Sequence, residues 1–237
     1  MGYKGIEFGL GIPMGFEPDR LMDYLYTMDL SVSAVLTGIN AADNLYLSVA
    51  DEDVRNKAVQ RLQELIPIAK KLRTTMIVGT MQGTRRLEPN REVGKERILA
   101  CLKQVALTAE EYGQSIVLEP MNHMECGYGY TLDEVMETID QIGSPFFKPM
   151  LDTIHMNIEE RSIVDTFHKA GSELLHVHLC ETNARAAGQG HLDYRAVFKA
   201  LDDIHYNHWI AVKAYQMPSW LDGASASMEY LKRLGLA

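Results

Sequence analysis

The sequence predicts an α/β protein built on a parallel sheet, and three observations carry that prediction. Short apolar β-type runs alternate with segments of helical period along all 237 residues. The β-type runs are near-continuously apolar, as strands covered on both faces are, and do not alternate in and out. No Ser/Gly-rich linker or change of composition interrupts the pattern, so one domain over residues 1–237 is expected.

Strands are expected near residues 5–9, 31–38, 75–80, 115–120, 148–155, 174–181 and 209–216. Between them, Val54, Ala58, Leu62, Ile66, Ala69 and Leu72 recur at three- and four-residue spacing, the stripe of an amphipathic helix. Leu99, Leu102, Ala106 and Ala109 repeat the pattern, as do Leu132, Val135, Met136 and Ile139. Pro67 is expected to kink or split the first of these helices. Gly113 and Gly143 stand where a helix would stop before the next strand.

These runs make seven βα units, one fewer than the eight of a closed (β/α) barrel. Residues 1–5 read as the last turn of a helix leading into a strand, so a strand and helix are expected to precede them. The sheet edge left open would favour a dimer or higher homo-oligomer.

Composition narrows the function. Hydrophobic residues make up 46% and charged residues 23%, as in ordinary globular proteins. The net charge of −9 argues against nucleic-acid and anionic-membrane partners. Cys101, Cys126 and Cys180 have no zinc-type spacing and form an odd set, which suits reduced thiols and a cytoplasmic protein. The first residues lack a signal-peptide pattern, and no apolar run approaches the ~18 residues of a membrane span.

In a parallel barrel the reactive groups gather at the C-terminal ends of the strands. Four consecutive strands end in such groups: Glu119, then Asp152 and His155, then His176 and His178, then Lys213. Oxygen and nitrogen donors of this mix suit Mn²⁺, Co²⁺ or Mg²⁺. Such an ion could polarise a sugar carbonyl while a carboxylate moves a proton. Each residue alone is as readily a solvated strand end, and His176 and His178, on one face, as readily a packed pair. His168 reads as a surface helix residue, and Glu159-Glu160 as a solvated helix start.

At these residues the sequence resembles the ketose 3-epimerase group of xylose isomerase-like TIM barrels. The likeness lies in Leu118-Glu119-Pro120-Met121-Asn122 and in Leu151-Asp152-Thr153-Ile154-His155-Met156-Asn157-Ile158-Glu159-Glu160. It continues through His176-Val177-His178, Asn183 and Gly188-Gln189-Gly190-His191-Leu192-Asp193-Tyr194. The resemblance implies a TIM-type (β/α) barrel acting on a ketose or keto-sugar by metal-assisted proton transfer next to the carbonyl. It assigns Glu119, Asp152 and His178 as metal ligands and Glu119 as one of two acid/base carboxylates. His155, Glu125, Asn122 and Arg185 would bind substrate.

The departures fall in the site. Lys213 stands where the fourth ligand and second catalytic Glu is expected, and takes the second catalytic position with it. Ala184 stands where Arg is expected, with Arg185 one place later, and Ala187 where Pro is expected. Three roles are open to Lys213. It could replace the metal electrostatically by pairing with Glu119 or Asp152. It could serve as a neutral second base. It could turn away and leave three ligands that hold the metal weakly or not at all. A catalytically impaired homologue, serving as a binding or partner subunit, is therefore the alternative to an active isomerase. A multi-zinc endonuclease on a related barrel is disfavoured by the acidic charge.

Three weaker features remain. Arg85-Arg86 could bind a sugar phosphate or simply be exposed. The apolar stretch over residues 10–16 could cover a substrate or a subunit contact. Trp209 and Trp220 read as packing residues before sugar platforms.

Overall fold

The computed structural model describes residues 1–11, 14–215 and 217–237. By its internal contacts the chain divides into two compact units, Lys4–Lys148 and Met1–Tyr3 with Pro149–Ala237.

The first unit alternates strand and helix in chain order: β1 (Gly5–Gly9), α1 (Pro18–Tyr26), β2 (Ser31–Leu36), α2 (Glu52–Lys71), β3 (Thr75–Val78), α3 (Arg91–Tyr112), β4 (Ile116–Leu118) and α4 (Leu132–Ile142). Each strand pairs in parallel with the next, Ile6 with Val32, Val35 with Met76 and Ile77 with Val117. The strands are apolar because both faces are covered: Val35, Met76, Ile77, Ile116 and Val117 are buried. Ala58, Leu62, Leu65, Ile66 and Ala69 on α2 and Ile98, Leu102, Val105 and Ala109 on α3 are buried too, most of them joining those strands in one core.

The helix ends are set locally. Asp51 accepts from the N–H groups of Asp53 and Val54, Asn90 from those of Glu92 and Val93, and Thr131 from that of Glu134. Gly113 and Gly143 end α3 and α4 in the left-handed conformation, as expected. Pro67 does not split α2, which runs on to Lys71. The buried stripe on either side of Pro67 holds the helix together through the missing hydrogen bond.

One helical glycine is there for packing. An added Cβ at Gly94 would overlap the ring of Tyr128, which is buried and fixed by its hydroxyl bond to Glu88 O at 2.8 Å. Alanine in a helix interior normally gains about 1 kcal/mol over glycine. Here Gly94→Ala is expected instead to cost about 1–2 kcal/mol through overpacking. Urea denaturation checks the sign.

The second unit holds β5 (Phe147–Asp152, whose first two residues belong to the first unit), α5 (Thr153–Glu159), α6 (Ile163–Ala170), β6 (His176–Cys180), α7 (Tyr194–Asp203), β7 (Ile210–Lys213) and α8 (Trp220–Leu234). Its strands are again parallel in chain order, β5 beside β6 and β6 beside β7. Seven strands are thus present among the described residues.

Several boundaries differ from expectation. Residues 1–4 are not helical, and β5 stops at Asp152, so His155 lies in a helix and not on a strand. The cause is local: the Asp152 side chain accepts from Ile154 N–H at 3.0 Å and caps α5. Glu159 and Glu160 stand at the end of that helix, not at a helix start. β7 ends at Lys213, and Gln216, the last residue of the expected strand, lies outside the described residues. Ile12 and Pro13 of the apolar 10–16 stretch do so as well. Trp209 and Trp220 are both exposed and do not pack in the core, and Arg85 and Arg86 are also exposed. Among the described residues no helix is long and apolar enough to cross a membrane.

Candidate functional site

In the first unit, Glu119 follows β4 directly. Its N–H donates to Val78 O at 3.0 Å and its carbonyl accepts from Gln82 Nε2 at 3.0 Å, so the backbone is held on both sides. The carboxylate lies over Gly79, where any Cβ would overlap Oε2. Asn122, fully buried, forms a closed turn: Oδ1 accepts from the N–H groups of Met124 and Glu125, and Nδ2 donates to Glu125 Oε1 at 3.0 Å. Asn122 thereby fixes the direction of the Glu125 side chain.

In the second unit the strand register brings three expected residues together. Asp152 is the register partner of His178, and His178 is the partner of Ala211, two residues before Lys213. Side chains alternate along a strand, so Asp152, His178 and Lys213 share one face. Thr153 locks this alignment: its hydroxyl donates to Cys180 O at 2.7 Å and accepts from Cys180 N–H at 2.8 Å.

The outcome is a cluster around one carboxylate oxygen. Asp152 Oδ2 lies 2.7 Å from Lys213 Nζ, 3.5 Å from His178 Nδ1 and 3.9 Å from His155 Nε2. Asp152, His155 and His178 are almost wholly buried, whereas the Lys213 side chain is 42% exposed. Burial alone would raise the Asp152 carboxyl. The Lys213 ammonium and the two imidazoles outweigh it and hold the group well below the usual carboxylate range. His176 stacks edge-on against His178 with ring centroids 5.2 Å apart.

Arg185 lies exposed in the loop after β6, its N–H donating to Asn183 Oδ1 at 3.1 Å. Ala184 beside it is buried at φ +58°, and its carbonyl accepts from Tyr215 N–H at 2.6 Å. The loop is therefore tied to the segment just past Lys213. Its organiser was not foreseen. Glu181, 1% exposed, accepts from the N–H groups of Gly188 at 2.9 Å, Thr182 at 3.1 Å and Leu192 at 3.3 Å. A Cβ at Gly190 would overlap this carboxylate. The signal in the sequence was a carboxylate at a strand end followed by a Gly-Gln-Gly turn.

Carboxylates and imidazole are donors a divalent cation takes. The position of Lys213 decides whether these residues fit one. The Asp152 oxygen that would ligate the ion already accepts from an ammonium, and the other oxygen caps α5. At about 4 Å and an effective dielectric of ~20, an ammonium and a doubly charged ion repel by about 8 kcal/mol. With Lys213 placed as it is, Asp152 and His178 do not fit a divalent ion.

The chain is 32% identical over 222 residues to a D-psicose 3-epimerase of Ruminiclostridium cellulolyticum, across 91% of this chain and 75% of that one. It is 37% identical over 123 residues to a D-psicose 3-epimerase of Enterocloster bolteae, a match spanning 52% of this chain and 41% of the relative. Among solved structures, D-psicose 3-epimerase with D-tagatose from Clostridium cellulolyticum H10 superimposes with a TM-score of 0.79 at 26% identity, covering 91% of this chain and 76% of that one. An L-ribulose 3-epimerase shares the fold, with a TM-score of 0.82 at 23% identity over 99% of this chain and 84% of its own. The family model described as xylose isomerase-like TIM barrel matches residues 1–234. The chain belongs to the xylose isomerase-like TIM barrel family.

Proposed function

We propose that this chain binds a ketose or keto-sugar and moves a proton at the carbon next to its carbonyl, as a carbohydrate isomerase or epimerase does. The observation that supports the reading is the likeness to a D-psicose 3-epimerase over 91% of this chain, together with polar residues at four strand ends, where such chemistry is done. Glu119, buried and with its backbone held on both sides, is the carboxylate that takes the proton. Asn122, Glu125, His155 and Arg185 are the residues proposed to meet sugar hydroxyls. A cytoplasmic enzyme that assembles with further copies of itself goes with this reading.

Metal assistance is what the family resemblance implies, but the Lys213–Asp152 pair does not accommodate an ion beside Asp152. That pair favours a second reading, a homologue that binds sugar without turning it over, as a binding or partner subunit.

One experiment separates the two. D-psicose, D-fructose, D-tagatose and L-ribulose are incubated with the chain in D₂O, and the protons next to the carbonyl are followed by NMR. Loss of such a signal, abolished in Glu119→Gln, is expected for the enzyme. Sugar binding without exchange is the result of the second reading, and neither binding nor exchange would contradict both.

A further inference from the structure

We infer that Lys213 is the built-in cation of this site, a fixed ammonium occupying the place of a dissociable divalent ion. Three observations within the second unit support it. The ammonium sits 2.7 Å from Asp152 Oδ2, direct hydrogen-bond distance for a charged pair. The strand register puts Lys213 on the same face as Asp152 and His178, so the backbone brings the lysine stem within reach of that carboxylate. The carboxylate it meets is completely buried, where a lone negative charge needs a permanent partner. A metal would satisfy that carboxylate only while bound. A lysine does so at every metal concentration.

The consequence is a site whose electrostatics are independent of metal supply. A negatively charged oxygen developing on a bound sugar would meet a single positive charge of fixed position, with three donor hydrogens and no open coordination positions. The functional part of this inference rests on the ketose reading, but the metal part is tested without any sugar.

The test is calorimetric titration of Mn²⁺ into metal-stripped parent chain, Lys213→Glu and Lys213→Gln. The parent is expected to show no saturable binding, and Lys213→Glu to bind at least 100-fold more tightly. Lys213→Gln should fall between them. Saturable binding by the parent as tight as that of Lys213→Glu would overturn the inference. Should the variants fail to fold, the melting temperature of the parent in EDTA and in millimolar Mn²⁺ serves instead. An unchanged value supports the fixed cation, and a rise of several degrees overturns it. Titration of D-psicose and D-tagatose into the parent in EDTA then tests the ketose reading separately, since the metal result stands whether or not a sugar binds.

Discussion

Lys213→Met is expected to destabilise the protein by about 2–3 kcal/mol, the larger part of what breaking a buried ion pair costs. The substitution leaves the Asp152 carboxylate, wholly buried, with the Ile154 N–H and two imidazoles as its remaining partners among the described residues. The half-exposed lysine stem makes the pair less than fully buried, which keeps the figure below the ~3–5 kcal/mol of a fully buried pair. Asp152→Asn is the control. It keeps the shape and the helix cap and leaves an ammonium that can turn to water, so about 1 kcal/mol is expected. Urea denaturation of both variants at neutral pH checks the order, and an equal or reversed order contradicts it.

The same pair sets a pH dependence. A carboxyl held below its ordinary value of 3.8 stabilises the fold fully above about pH 4 and loses that contribution as the pH falls further. Without the ammonium the depression is smaller. The acid-unfolding midpoint of Lys213→Met should therefore lie at higher pH than that of the parent.

Glu181→Gln is expected to have an effect of similar size, about 2–4 kcal/mol, by a different route. Three backbone N–H groups converge on this buried carboxylate, and charge-assisted bonds of this kind contribute about 1.5–3 kcal/mol each. Whichever way the amide of glutamine turns, its NH₂ faces at least one of those donors. The carboxylate packs directly against the backbone of Gly190, where an added Cβ would overlap it. The loop over residues 182–192, which carries Asn183 and Arg185, should loosen first. Amide hydrogen exchange reads this directly: faster exchange at Gly188 and Leu192 is expected while β5 and β6 stay protected. Unchanged protection in the loop would show that Glu181 does not hold it.

The strands were legible because each is an apolar run long enough to stand out, and Gly113 and Gly143 marked two helix ends unambiguously. The candidate site residues stood out for a related reason: Glu119, Asp152, His178 and Lys213 are polar residues interrupting such runs at their ends. What hid was decided by side chains acting on the backbone. Leu151-Asp152-Thr153-Ile154 reads as continuous strand, but the Asp152 cap begins a helix inside it and carries His155 away from the strand. The partner of Lys213 was open between Glu119 and Asp152, because sequence spacing does not give the register that sets Asp152 against His178. Glu181 was read only as the end of a strand. Its role depends on a loop folding back to present three N–H groups, and a Gly-Gln-Gly turn announces the bend but not its destination.

The most direct measurement is a crystal structure from Mn²⁺-soaked crystals of the parent chain, with anomalous data collected above the manganese edge. The account predicts no anomalous peak beside Asp152 and His178, with Lys213 Nζ in hydrogen-bond contact with Asp152 Oδ2. A strong peak bonded to Asp152 and His178, with Lys213 swung out to solvent, would contradict it.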